Sequence, residues 1–164
     1  MGSNPSPRIC DEMGPSIRNA RLQDTEFVLD GIREIFRIEN DILVYREKKK
    51  LARNAIMNKQ IRVVIEENKP IGFSWFRISD LTPFGLDYGK WSRKYCWISF
   101  VYVVKSYRNQ GIGSLLYEDI MKICKKKGIK QIMLDIFTVN KKSARFHERM
   151  GFKPLLSIFT MRAR

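Results

Sequence analysis

The chain has 164 residues, 44% of them hydrophobic and 29% charged, a make-up that suits one globular domain and excludes a disordered chain. No apolar run approaches the roughly 20 residues a membrane span needs, and Cys10, Cys96 and Cys124 form neither a disulfide framework nor a zinc pattern. The net charge of +14 sits in short clusters (Lys48 to Lys50, Lys125 to Lys127, Lys141 and Lys142) with no aromatic-interleaved stripe, so no motif supports nucleic-acid binding.

Residues 1–15 contain three prolines and two glycines and are expected to form a flexible arm before a single domain over 16–164. Met1 to Ser16 lacks the charged and apolar regions of a secretory signal, and we expect a reduced, cytoplasmic protein. Met1-Gly2-Ser3-Asn4-Pro5-Ser6 satisfies the loose N-myristoylation pattern, a pattern short enough to arise by chance.

Ile17 to Arg21 reads as a short strand, and Asp24 as the N-cap of a helix carrying Phe27, Val28, Ile32, Ile35 and Phe36 on one side. A basic helix is expected from about Leu43 to Met57. Ile61 to Ile65 and Ile71 to Ile78 read as a hairpin around the turn Glu67-Asn68-Lys69-Pro70. Ser79 to Arg93, with Pro83, Gly85 and Gly89, reads as a loop, and Tyr95 to Val104 as the longest strand. A helix follows Gly111, with Leu116, Ile120, Ile123 and Cys124 at helical spacing, and stops at three lysines and Gly128. Gln131 to Phe137 is then a strand, Lys141 to Met150 a short helix closed by Gly151, and Phe152 to Met161 a last strand or hairpin arm. The order β-α-α-β-β-β-α-β-α-β predicts mixed α/β layers around one sheet.

The chemical signal lies in Val101 to Ser114, a strand, a polar loop and a helix start. Gly111 and Gly113 let backbone approach a ligand, and the first N–H groups of the helix point at whatever lies there. An anion is favoured, and Arg108 adds a forked positive charge. The segment carries neither the Walker lysine nor the dinucleotide glycine spacing.

Arg108-x-x-Gly111-x-Gly113 after a long strand resembles motif A of the GNAT superfamily of N-acetyltransferases. The stretch Asn140 to Phe152, an Asn, a short helix and a closing Gly-Phe, resembles the family's later motif, and Ile17-Arg18-Asn19-Ala20 its opening strand. The resemblance runs from Ile17 to Met161. It implies a single-domain α/β (α+β) fold, with a mixed sheet of six to seven strands, helices on both faces, and fourth and fifth strands that splay apart. It also implies acetyl-CoA as co-substrate. Val101, Tyr102 and Val103 would pair with its pantetheine arm, Arg108, Asn109, Gln110, Gly111, Ile112, Gly113 and Ser114 would wrap its pyrophosphate, and Asn140 and His147 would also border it. Each has a plain structural alternative: strand residues, a loop Asn before a helix, a packed helical His.

The transfer requires a neutral amine, a stabilised oxyanion and a protonated leaving thiol. A backbone N–H near Val103 would serve the oxyanion. The family's proton-donating tyrosine falls seven residues after the Asn, where this chain has His147, its only histidine; phosphinothricin-type acetyltransferases show a similar Asn-x-x-Ser-x-x-x-His-Glu pattern. A histidine of pKa near 6.5 is about one quarter protonated at pH 7 and can give or take a proton. Tyr102, Tyr107 and Tyr117 are the other donors to weigh. The fourth strand lacks the frequent glutamate base, so the base is unassigned among an ordered water, Glu34, Glu39 and Asp41.

The acceptor is expected between the first two helices and the loop over 79–93, where Phe84, Tyr88 and Trp91 offer aromatic walls and Arg77, Lys90 and Arg93 favour an acidic acceptor. A small-molecule, amino-acid or protein amine all fit, as do a monomer and a homodimer. The competing reading is a non-catalytic module that binds CoA or an anionic partner such as RNA, supported by the two replaced side chains.

Overall fold

The computed structural model describes residues 14–39, 45–80, 94–155, 157–159 and 161. Its elements are β1 (Ser16–Asn19), α1 (Thr25–Glu39), α2 (Tyr45–Met57), β2 (Ile61–Glu66), β3 (Lys69–Ser79), β4 (Tyr95–Val103), α3 (Ile112–Lys126), β5 (Gln131–Leu134) and α4 (Lys141–Arg149). One sheet runs β1-β2-β3-β4-β5, antiparallel except for the parallel β4–β5 pair that the α3 crossover joins.

Helices cover both faces, as expected. Val28, Leu29 and Ile32 of α1 and Ala52, Ala55 and Ile56 of α2 bury against Val63 and Phe73. On the opposite face, Ile112 and Leu116 of α3 pack on Val64 and Ile71, and Tyr117, Ile120 and Cys124 on Phe76, Cys96 and Ile98. Each fully buried aliphatic contributes about 1.5–3 kcal/mol. Helix α1 sits close to the sheet at Gly31, where an added Cβ would stand 2.6 Å from Phe73 Cε1 and 2.7 Å from Tyr102 Cδ1.

Three expectations about strands change. The sheet has five strands among the described residues, not six or seven. Phe152 to Met161 yields no strand among its described residues: Phe152 docks beside His147, centroids 5.6 Å apart, and from Lys153 onward every described residue is exposed. β5 also stops at Leu134 rather than Phe137, because the chain leaves the sheet there and Phe137 is exposed. Asp24 lies in a 3-10 turn, Leu22–Asp24, just before α1, its carboxylate accepting from Arg21 N at 2.6 Å and Arg18 Nη1 at 2.7 Å. The arm over 1–13, the start of the α2 expectation (Leu43) and most of the loop, including Phe84, Tyr88, Lys90, Trp91 and Arg93, lie outside the described residues, as does Asp41.

Candidate active site

β4 and β5 are paired only from Tyr95↔Gln131 to Ile98↔Leu134. At that same point the β3–β4 register skips Ser99, since Phe76 pairs with Ile98 and Trp75 with Phe100. A bulge of this kind bends its strand and re-aims the residues beyond it. The last part of β4, up to Val103, therefore keeps β3 on one side and opens on the other. Val104 N donates to Ile71 O at 2.9 Å. Because alternate residues of an antiparallel strand face opposite neighbours, the backbone groups of Tyr102 point toward β3 and those of Val101 and Val103 toward the opening.

At the head of this opening a 3-10 turn, Lys105–Tyr107, leads through Arg108, Asn109 and Gln110 to α3. Gly111 caps the helix with φ +82°, a left-handed conformation that glycine adopts without strain. Leu115 N donates to Gly111 O at 3.0 Å and is the first amide of α3 to find an intrahelical acceptor. The amides of Gly111, Ile112, Gly113 and Ser114 thus face out of the helix start with its partial positive charge. Asn109 is left-handed too, φ +63°, which lets the loop turn tightly into the helix.

Arg108 is engaged by groups of the protein itself. Its Nη2 contacts Glu34 Oε1 at 2.6 Å and its Nε donates to Val103 O at 2.9 Å, so the guanidinium is tied to α1 and β4. The Tyr102 hydroxyl donates to Glu34 Oε2 at 2.7 Å. Partial burial pulls the Glu34 pKa upward, but Tyr102 and Arg108 outweigh it and hold the carboxylate below its usual range. Burial, then the hydrogen bond to Glu34 and its charge, push the Tyr102 pKa up to about 12. Glu34 is thus a poor base and Tyr102 a poor donor.

Asn140 caps α4, its Oδ1 accepting from Ser143 N at 3.2 Å while Nδ2 donates to Glu39 Oε1 at 3.2 Å across to α1. Seven residues on, His147 is 8% exposed and hydrogen-bonds through Nε2 to the Tyr117 hydroxyl of α3. Its Nδ1 lies 2.7 Å from Ser143 O. Phe146 and Phe152 surround the Tyr117 ring at 5.7 Å, so the closing Gly-Phe of the later motif packs the His147–Tyr117 pair. Desolvation lowers the His147 pKa, against a smaller opposing pull from Ser143 O.

These groups meet in one groove of about 550 Å³ between α1, α2 and the opened strands. It brings together Val101, Tyr117, Asn140, Ser143 and His147, whereas Arg108 to Ser114 are not among its lining residues. Ile35 and Phe36, expected in the core stripe of α1, line it, and so do Glu39, Lys48 and Arg77. Trp75 and Phe100 form a wall, centroids 5.6 Å apart, with Lys48 Nζ 5.5 Å from the Phe100 ring. Sequence reading did not single out Trp75, Trp97, Phe100 or Asp135 as lining residues. Strand alternation marks some of them as facing away from α3, but nothing local says that a groove lies there.

The sequence profile of the acetyltransferase (GNAT) family matches residues 27–152. Thialysine N-epsilon-acetyltransferase of Mus musculus is 28% identical over 68 residues, 42% of this chain and 40% of that protein. N-alpha-acetyltransferase 30 of Schizosaccharomyces pombe is 34% identical over 56 residues, 34% of this chain and 37% of its own length. The matched stretches therefore span less than half of these relatives. Among solved structures, a tetramutant of the BH1408 protein of Bacillus halodurans superposes with a TM-score of 0.75 at 23% identity, covering 90% of this chain and 99% of that one. An aminoglycoside N-acetyltransferase in complex with CoA superposes at 0.72 and 16% identity, covering 92% and 95%. These last two likenesses show the fold.

Proposed function

The chain belongs to the acetyltransferase (GNAT) family, and from that premise we propose that it transfers the acetyl group of acetyl-CoA to a primary amine by direct attack in a ternary complex. The observation that carries this reading is the parting of β4 from β5 after Ile98 and Leu134, with the amides that open α3 at its head and a groove at its foot.

In this reading residues 16–164 form the acetyltransferase domain. The outward backbone groups of Val101 and Val103 take the pantetheine arm, and the N–H of Val103 polarises the thioester carbonyl. The segment Arg108, Asn109, Gln110, Gly111, Ile112, Gly113, Ser114 wraps the pyrophosphate, through its amides before its side chains, since Arg108 is held by Glu34. Asn140 and His147 border the thioester, with His147 the proton source for the leaving thiol. The amine enters the groove beside Trp75, Phe100 and Glu39. Cys96 and Cys124 are buried and unpaired, which suits a reducing cytoplasm.

Thermal unfolding with and without acetyl-CoA, followed by a panel of amines, amino acids and peptides assayed for CoA release, tests the proposal. A ligand at 100 times its Kd stabilises by about 2.7 kcal/mol. Stabilisation with CoA release on at least one amine is expected. Stabilisation without release from any acceptor would favour the non-catalytic module instead, and no stabilisation would remove the cofactor assignment.

A further inference from the structure

Both ring nitrogens of His147 are already engaged. The nearer partner of Nδ1 is Ser143 O at 2.7 Å, a carbonyl that only accepts, with the Ser143 hydroxyl farther off at 3.3 Å, so the shorter contact assigns the proton to Nδ1. In a neutral imidazole Nε2 is then an acceptor, and the Tyr117 hydroxyl is its donor. His147 consequently has no nitrogen left for a ligand. Tyr117 does have spare capacity: a hydroxyl that donates once still accepts, and Tyr117 lines the groove. Tyr117 and His147 both line the groove, and the tyrosine hydroxyl is the member of the pair with a hydrogen-bonding site open to the reacting atoms.

We propose that Tyr117 and His147 form a two-member proton relay, in which the Tyr117 hydroxyl receives the proton released by the attacking amine and passes its own to His147 Nε2. The imidazolium so formed then returns a proton through Tyr117 to the departing CoA thiolate. The inference rests on the acetyl-transfer reading above. The balance is complete: the amine nitrogen forms its bond to the acetyl carbon and loses one proton, the carbon–sulfur bond breaks with its electron pair on sulfur, and sulfur gains one proton. Tyr117 and His147 end as they began.

The resting state suits acceptance first. Desolvation keeps His147 neutral to lower pH than an ordinary histidine, and burial raises Tyr117, so its hydroxyl stays protonated until handed a replacement. Acid should stop the relay, because a charged His147 has no lone pair at Nε2. Among the described residues, the other titratable groups that line the groove are Glu39 of α1, Lys48 of α2, Arg77 of β3 and Asp135 beyond β5, and Cys96 of β4 acts on Tyr117.

His147 is the chain's only histidine, so nitrogen-15 NMR of its imidazole reports this site alone. The wild-type protein should show the Nδ1–H tautomer with a hydrogen-bonded Nε2, and Tyr117→Phe should move the Nε2 resonance to that of an unbonded nitrogen. With acetyl-CoA and an amine accepted in the panel, Tyr117→Phe should lower kcat by about 100-fold or more while leaving the KM for acetyl-CoA within about twofold. His147→Gln should fall by a similar factor, and the double variant little further. Retained acetyl-CoA-dependent stabilisation shows that each variant is folded. The relay is overturned by an Nε2–H tautomer in the wild type, or by Tyr117→Phe turning over at near the wild-type rate. A wild-type protein inactive on every amine instead overturns the acetyl-transfer reading and the relay with it.

Discussion

Glu34 on α1 holds the guanidinium of Arg108, 74 positions later in the chain, at 2.6 Å. The contact ties the helix that borders the groove to the loop that opens α3. It ranks as a modest pair, because the two side chains remain 30% and 37% exposed. A double-mutant cycle of Glu34→Gln and Arg108→Gln should give a coupling of up to about 1 kcal/mol, shrinking in concentrated salt. The Glu34 pKa is lowered below 4.5, so its contribution is complete above that pH and is lost as pH falls through the folded value.

Gly111 should be more sensitive than its surroundings suggest. No atom lies within 4 Å of an added Cβ, yet φ is +82°. Gly111→Asp should cost about 1–2 kcal/mol through backbone strain and place a carboxylate where we propose a pyrophosphate. Thermal unfolding should show a folded protein without the acetyl-CoA-dependent increase in Tm; an undiminished increase would count against the assignment.

Acid should weaken the fold through His147. Its folded pKa lies below 6.5, so below that pH the unfolded chain binds a proton that the folded chain refuses. Stability then falls as pH falls from 6.5 toward the folded value and is unaffected above it. Denaturant midpoints of wild type and His147→Gln between about pH 7.5 and pH 5 should converge on acidification. Parallel curves would contradict the depressed pKa.

Arg62 of β2 holds Asp119 of α3 with two contacts, 2.7 Å from Nε and 3.0 Å from Nη2, and both side chains are less than one-fifth exposed. Asp119→Asn should cost about 1–3 kcal/mol in chemical denaturation. The stabilisation added by acetyl-CoA should not change, because neither residue is among those we propose to hold the cofactor.

Gly31→Ala sets two effects against each other. Alanine favours the helix by about 1 kcal/mol, but its Cβ would stand 2.6 Å from Phe73 Cε1, and overpacking of this kind costs about 1–3 kcal/mol. The collision should prevail, lowering Tm, with Tyr102 displaced on Glu34. A more stable variant would show that Phe73 can swing aside.

Much of the site was legible in the residues because its signals are local. Gly111 and Gly113 after the Val101–Val104 run announced a backbone cradle, and Asn140, Gly151 and Phe152 bracketed a short helix. Arg108 was legible as a charge in the loop before α3, but its contact with Glu34 was not, because the two lie 74 residues apart. His147 was legible as a candidate, but its link to Tyr117 was not, because the two lie 30 residues apart on different helices. The last strand or hairpin arm expected over 152–161 had apolar content but, among its described residues, no strand pairing.

By itself, then, the order of residues determined the sequence of helices and all five strands of the sheet among the described residues, the glycine turn before α3 and the family signature, because each depends on spacings of a few residues. Only the tertiary structure decided where β5 leaves β4, that Ser99 bulges at that level, which acid holds Arg108 and which hydroxyl meets His147. Those outcomes depend on register and packing between segments far apart in the chain, and no local pattern of side chains encodes such distances.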